Sequence, residues 1–156
     1  MEVRKANQKD FKELFKLVMQ NMGYHMKLTK LNWEPIKKIR KAESEELKKD
    51  LKRSKTIIFV AEVYGKIVGY ITASFQGKTP YTKTKKKSAI DDLFVLGEYR
   101  KKGIGKALIN KTLDLSKSKG IKIVSLSVSS SNLPTLKLYK RFGFKENVKK
   151  MNLKLK

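Results

Sequence analysis

The chain has 156 residues, 40% hydrophobic and 33% charged, with 38 Lys and Arg against 14 Asp and Glu, a formal charge of +24, one His and no Cys. That length buries one core without metal or disulfide staples, and the lack of Cys excludes a disulfide framework, a thiolate zinc site and a Cys nucleophile. The apolar stretches Ile57 to Val63 and Ile67 to Phe75 stop well short of the ~20 residues a bilayer demands. No membrane span is therefore expected, and with no apolar leader pattern behind Met1 the expected compartment is the cytoplasm.

The charge attracts polyanions of every kind and identifies none. Only five of the basic residues are Arg, whereas planar, bidentate reading of phosphates or guanine edges favours Arg over Lys. A solvated lysine surface is the plain reading, and nucleic-acid contact of a non-specific kind is compatible with it.

In chain order, Val3 to Ala6 is short and extended. Asn7 stands as an N-cap before Phe11, Leu14, Phe15, Val18 and Met22, which form one helical stripe. A mixed segment, Tyr24 to Glu34, follows Gly23. Pro35 to Arg53 is helix-like, with Ile36, Ile39, Leu47 and Leu51 able to face inward. Thr56 to Val63 and Ile67 to Phe75 are β-branched and aromatic and read as a hairpin closed by Tyr64-Gly65-Lys66. Gly77 to Lys87 reads as an exposed loop. Ala89 to Leu96 is a strand, apolar except for Asp91 and Asp92. A helix bearing Ile104, Leu108 and Leu115 runs to Gly120, Ile121 to Val128 is a half-buried strand, and Pro134 to Arg141 is a short helix. Phe142 to Phe144 and Val148 to Leu155 return to extended pattern. The order β-α-α-β-β-β-α-β-α-β contains no repeat and no dividing linker, so a single α/β (α+β) domain with a twisted mixed central sheet and helices on both faces is expected.

Arg100-Lys101-Lys102-Gly103-Ile104-Gly105-Lys106 joins a strand to an amphipathic helix. Glycines let backbone approach a ligand, the first N–H groups of a helix are unpaired, and the helix dipole adds positive character beside full Lys charges. The corner therefore suits an anion such as a diphosphate, although a plain helix start shares the pattern. The spacing fits neither a G-x-x-x-x-G-K-[ST] loop nor a dinucleotide fingerprint.

Asp91 and Asp92 are conspicuous because carboxylates in an apolar strand are costly to bury without a partner or a purpose. Strand alternation places Asp91 with Leu93 and Val95, and Asp92 with Ile90 and Phe94. Periodicity does not choose between the two acids. His25 has no second ligand at metal or triad spacing, so no metal site is expected, and it is expected to line a loop. The acids Glu34, Glu43, Glu45 and Glu46 read as a solvated helix face.

Three blocks in order carry a resemblance: the hairpin Phe59-Val60-Ala61-Glu62 with Gly65-Lys66-Ile67-Val68-Gly69-Tyr70-Ile71, the corner Arg100 to Ala107, and Asn132 followed by Tyr139 and Gly143-Phe144. Over about Thr56 to Asn147 the chain resembles the GNAT superfamily of acyl-CoA-dependent N-acetyltransferases. The resemblance implies one N-acetyltransferase domain over residues 1–156, acetyl-CoA as cofactor, an amine acceptor and, as is common among similar enzymes, a homodimer. It implies that the amides of Lys101, Lys102, Gly103, Ile104, Gly105 and Lys106, supported by Arg100, hold the diphosphate. Backbone of Phe94, Val95 and Leu96 would pair with the pantetheine arm, with the Val95 N–H on the thioester carbonyl. Asn132 would contact CoA, and Tyr139 would also line its site and protonate the departing thiolate. Tyr24 and Trp33 fall in the stretch that forms part of the acceptor pocket.

The acceptor implied is a small, polyamine-like amine or a protein amine. Local likeness of Ile90 to Val95 to the diamine acetyltransferases favours Asp91 as the proton relay and leaves Asp92 to acceptor binding. Transfer is expected to be direct, without a covalent enzyme intermediate. A basic nucleic-acid-binding module that keeps the fold without turnover is the alternative.

Overall fold

Tyr64 and Gly65 both adopt left-handed conformations, φ 49° and 75°. Two such residues in a row make the tight turn whose twist suits flanking antiparallel strands. The hairpin so formed, β2 (Thr56–Val63) and β3 (Lys66–Gln76), lies within a five-stranded sheet. β1 (Glu2–Lys5) and β4 (Lys87–Val95) flank it antiparallel, and β5 (Ile123–Leu126) pairs with β4 in parallel, so the spatial order is β1-β2-β3-β4-β5. The computed structural model describes residues 1–29, 32–76, 86–149, 151 and 153.

Four helices cover this sheet: α1 (Phe11–Leu28), α2 (Ile36–Asp50), α3 (Ile104–Ser118) and α4 (Leu133–Arg141). Ile67 through Ala73 are buried without interruption. Because successive strand residues face opposite ways, such a run means that both faces of the sheet are covered. Ile58, Val60, Tyr70 and Thr72 look toward α1, whose Asn21 bonds the Tyr70 hydroxyl at 3.1 Å. The opposite face carries Ile71, Ala73 and Ser88 and meets α3 through the Ser88–Ser116 hydroxyl pair at 3.2 Å. Leu14 and Leu17 of α1, Leu47 of α2, and Ile104, Leu108 and Ile109 of α3 fill the two layers.

Asn7 caps a 3₁₀ turn ahead of α1 in a reciprocal capping box with Asp10. Several boundaries differ from those expected. α1 does not stop at Gly23 but continues to Leu28, which puts Tyr24 and His25 on a helix and not in a loop. One glycine costs a helix about 1 kcal/mol, and the contacts of the apolar stripe outweigh it. Ile36, at the first turn of α2, is exposed and not inward. β5 is confined to four residues. No strand follows α4 among the described residues, where Val148, Met151 and Leu153 are exposed and have no apolar surface to alternate against. The expected loop from Gly77 lies outside the described residues as far as residue 85.

Candidate active site

β4 outruns its parallel neighbour. Pairing with β5 covers only Lys87 to Ile90 against Ile123 to Leu126, and β5 ends there while β4 continues to Val95. Among the described residues, Asp91 to Val95 thus have no strand on that side, and the sheet is open beside them in a notch, the V. Leu96 donates its N–H to Val68 of β3 at 2.9 Å. Neighbouring residues of an antiparallel ladder point their polar groups in opposite directions, so the N–H and C=O of Val95 point into the V. Gly69, opposite Val95, permits this close pairing: a Cβ there would lie 2.9 Å from the Phe94 carbonyl oxygen and 3.1 Å from Val95 Cγ2.

A bulge breaks the alternation in β4. Thr72 pairs with Asp92 but Ala73 pairs with Ile90, leaving Asp91 as an extra residue. An inserted residue reverses the face on which all later residues stand. Asp92 therefore keeps company with Phe94 but not with Ile90, contrary to simple alternation. Asp91 is exposed, accepting from Ser74 Oγ at 3.2 Å, and so turns toward the α1 and α2 side with Asp92.

Asp92 is largely enclosed, and its Oδ1 accepts from Asn21 Nδ2 at 2.9 Å. The same amide group reaches the Tyr70 hydroxyl, so Asn21 orients both. Burial, then the nearby charge of Glu43, pushes the Asp92 carboxyl up to about 6. Burial first and neighbouring acids second also raise Glu43 and Asp50 of α2, and burial with Asp50 raises Asp91 against the Ser74 bond. Asn21 and Glu43 escape detection in a single chain. Asn21 is a polar residue inside an apolar stripe, the signal by which it stands out once α1 is drawn, and Glu43 looks like any other acid on a charged helix.

At the end of β4 the chain turns through Gly97–Tyr99 and enters the glycine corner. Lys101 and Gly103 are left-handed, φ 60° and 83°, and α3 begins at Ile104 with no side-chain cap. The first amides of α3 consequently lack intrahelical partners, and backbone curled in this way presents successive N–H groups to an anion. A Cβ on Gly103 would meet nothing within 4 Å, and one on Gly105 only Leu138 Cδ2 at 3.9 Å. The cradle is open. Lys101, Lys102 and Lys106 are exposed around it. Arg100 is not turned toward the cradle: its Nε donates to the Val95 carbonyl at 2.9 Å, and its guanidinium lies against the rings of Tyr24 and Phe94.

α4 closes the other side. Asn132 caps it, accepting from the Thr135 N–H at 3.4 Å, and the same oxygen meets the Tyr24 hydroxyl at 3.5 Å. Tyr139 is buried with Phe144 edge-on at 5.4 Å. Burial, and secondarily the charge of Asp92, pushes its phenol up to about 12. Direct contacts thus join Tyr24, Phe94, Val95, Arg100 and Asn132, and electrostatic coupling joins Tyr139 to Asp92. Trp33 is tied to none of them among the described residues; its indole N–H is enclosed without a partner. His25 stacks edge-on with Tyr24, and no group of potential metal ligands occurs among the described residues. A cavity of ≈ 510 Å³ on the α3 face, lined by Lys5, Phe59, Phe75, Lys111 and Lys119, contributes no residue to this constellation.

The profile of the Acetyltransferase (GNAT) family matches residues 25–144, which include the V, the glycine corner and α4. The chain belongs to the GNAT family. It is similar to an uncharacterized N-acetyltransferase of Methanocaldococcus jannaschii, 38% identical over 62% of this chain and 42% of that one. An N-alpha-acetyltransferase of Sulfurisphaera tokodaii is 38% identical over 62% of this chain and 60% of its own. A glucosamine 6-phosphate N-acetyltransferase of Trypanosoma brucei is 35% identical over 64% and 65%. The matches thus span about half the length of these curated relatives. The GNAT fold is shared with the solved aminoglycoside N-acetyltransferase AAC(6')-Iy in complex with CoA, TM-score 0.77 and 20% identity over 99% of this chain and 93% of that one. A Bacillus halodurans protein, BH1408, superposes with a TM-score of 0.83 at 21% identity over 99% and 100%. No described helix of this GNAT chain is long and apolar enough to cross a membrane.

Proposed function

We propose that this chain is an acetyl-CoA-dependent N-acetyltransferase whose acceptor is a small amine carrying more than one positive charge. The observation that carries the acceptor class is a set of carboxylates left without cations in a chain of charge +24. Asp92 feels the negative charges of Glu43, Asp91 and Asp50, and both Glu43 and Asp91 feel that of Asp50. Among the described residues none of Glu43, Asp91 and Asp92 has an ion-pair partner, and of the neighbouring Asp50 only one contact, to Arg53 at 3.3 Å, supplies a cation. Carboxyls raised by burial and by one another are short of positive charge, and an ammonium group brought by a ligand supplies it.

The open corner fits the diphosphate of CoA, with the amides of residues 101–106 as donors and exposed Lys101, Lys102 and Lys106 as counter-charges. The free side of β4 fits an extended arm, paired as an added strand. Acetyl-CoA, when bound, supplies an acetyl group activated as a thioester. The Val95 N–H, directed into the V, is the donor for the thioester oxygen, and removal of one such donor costs about 3 kcal/mol of transition-state stabilisation.

Of the two acids that periodicity leaves open, Asp92 takes the proton in this reading. It is the one whose charge reaches Tyr139, and a carboxyl near 6 is half-ionised within the working range of a base. An alkylammonium of pKa about 10.4 first gives one proton to solvent, which frees the lone pair that attacks; the second proton becomes acidic as the nitrogen bonds to the acyl carbon, and this is the one Asp92 takes. Tyr139, pushed up to about 12, keeps its proton and donates a hydrogen bond to sulfur. Protonation of Asp92 removes a negative neighbour and makes the Tyr139 phenol a better acid at the moment the leaving group needs one. Asp91, on the bulge, binds the second charge of the acceptor.

A peptide α-amine is the second reading, on the strength of the N-alpha-acetyltransferase relative. The nucleic-acid-binding alternative has no observation on its side. Thiol release from acetyl-CoA, measured across di- and polyamines, monoamines and peptides with free amino termini, tests the proposal. Turnover is expected with di- or polyamines and to fall about 10²-fold or more in Tyr139→Phe, with acetyl-CoA affinity nearly unchanged. Turnover of peptides alone, or an undiminished rate in the variant, contradicts it.

A further inference from the structure

Arg100 is the first residue of the glycine corner, yet its side chain is spent on the V. Its Nε donates to the Val95 carbonyl at 2.9 Å, and its guanidinium carbon lies 5.6 Å from the Tyr24 ring centroid and 5.7 Å from that of Phe94. The Tyr24 hydroxyl in turn reaches Asn132 Oδ1 at 3.5 Å. These contacts run from α1 across the end of β4 to the start of α4, over the free side of β4.

The Val95 carbonyl is a backbone acceptor on the free side of β4, where an incoming strand-like arm must pair. Arg100 holds that acceptor and fills the space beside it. One residue away lies the anion corner, within the swing of an Arg side chain. A guanidinium bonds a phosphate through charge-assisted, bidentate contacts about twice as strong as a bond to a neutral carbonyl. The two positions therefore compete for one side chain, and an anion at the corner wins it.

We infer that Arg100 is a specificity-determining residue: held on the Val95 carbonyl it blocks the V, and it withdraws to the diphosphate of the cofactor, so that the arm is admitted only with its diphosphate. This rests on the placement of CoA argued above. Its consequence is a coupling between two halves of the cofactor that carry no charge for one another, pantetheine being neutral. Coupling is reciprocal and is measured as a ratio of affinities.

Calorimetric titration of the full chain with pantetheine, without and with saturating inorganic diphosphate, reads that ratio, and CoA itself is titrated alongside. In the wild type diphosphate is expected to tighten pantetheine binding by about three- to tenfold. In Arg100→Ala pantetheine is expected to bind alike with or without diphosphate, at close to the tighter wild-type value, while CoA binds more weakly. Arg100→Lys, which keeps the charge but lacks the Nε donor and the flat stacking surface, is expected to retain CoA binding and lose most of the coupling. Independent binding of the two fragments to a wild type that binds CoA overturns the role of Arg100 alone. The same enhancement persisting in Arg100→Ala does so as well. A wild type that binds no CoA overturns the cofactor placement beneath it.

Discussion

In the proposed reaction Asp92 concentrates the chemistry in one side chain, and its protonation has a definite sign. Its folded-state pKa of about 6 stands above the ordinary 3.8, so between those values the folded chain holds a proton that the unfolded chain has lost. Stability therefore falls as pH rises through that window, and above it the ionised, enclosed carboxylate costs roughly 3 kcal/mol at 1.36 kcal/mol per pKa unit. Asp92→Asn keeps the oxygen that accepts from Asn21 and removes the charge. The variant is expected to be more stable than wild type by about 2–3 kcal/mol above pH 6 and equal to it below pH 4, by urea denaturation across the range. Its acetyl transfer is expected to be slow at every pH and to lack the acid limb near 6 that is expected of the wild type. A wild-type limb that survives unchanged in Asp92→Asn and disappears in Asp91→Asn returns the relay to Asp91.

Between elements, the decisive relation is that of α2 to β4. Glu43 stands on α2, a helix that carries both Lys and acids, and acts on Asp92 through space, raising it, which brings α2 to the edge of the proposed acceptor region. Glu43→Gln is expected to move the acid limb of the pH profile to lower pH, because one source of the upward shift is gone. It is also expected to raise the KM for a dicationic acceptor about three- to fivefold, the scale of one partly screened charge pair, leaving the KM for acetyl-CoA unaltered. Equal changes in both KM values would mean that α2 acts only as packing. What could be read in the sequence follows from range. The corner at Arg100 to Lys106 is a local string whose residue types suit an anion, the Asn132 and Tyr139 pattern is legible only through the family resemblance, and the hairpin announces itself by β-branched runs about a Tyr-Gly turn. The bulge at Asp91 is invisible because it exists only as a mismatch of register with Thr72 and Ala73 of β3. Asn21 and Glu43 are silent for the same reason: each matters through a residue some fifty or more positions away. Arg100 was legible as a corner residue but not as a plug, since its partners Tyr24 and Phe94 come from other elements.

For the whole molecule, the question is how a chain of charge +24 would serve at once the polyanionic cofactor and the cationic acceptor proposed for it. The two act over different distances. The lysine surface acts from afar, through water, and is screened with a Debye length of about 10 Å at 0.1 M salt, falling to about 3 Å at 1 M. The half-buried carboxylates of Glu43 and Asp92 would act on a ligand already in contact, across a few ångströms of partly enclosed space where salt enters poorly, whereas Asp91 is exposed to it. Added salt consequently removes the attraction that speeds acetyl-CoA inward, and it removes the repulsion that keeps a polyamine away sooner than it weakens the contacts that hold it. The expected outcome is a pair of opposite slopes. Between 0.05 and 0.5 M KCl, kcat/KM for acetyl-CoA falls and kcat/KM for a polyamine rises, each by roughly an order of magnitude or less. Steady-state rates with each substrate varied at a saturating level of the other measure the two slopes separately. Falling slopes for both substrates would mean that the acceptor is attracted by the molecule as a whole, which a polycation cannot be, and would point instead to an acidic acceptor such as a negatively charged peptide.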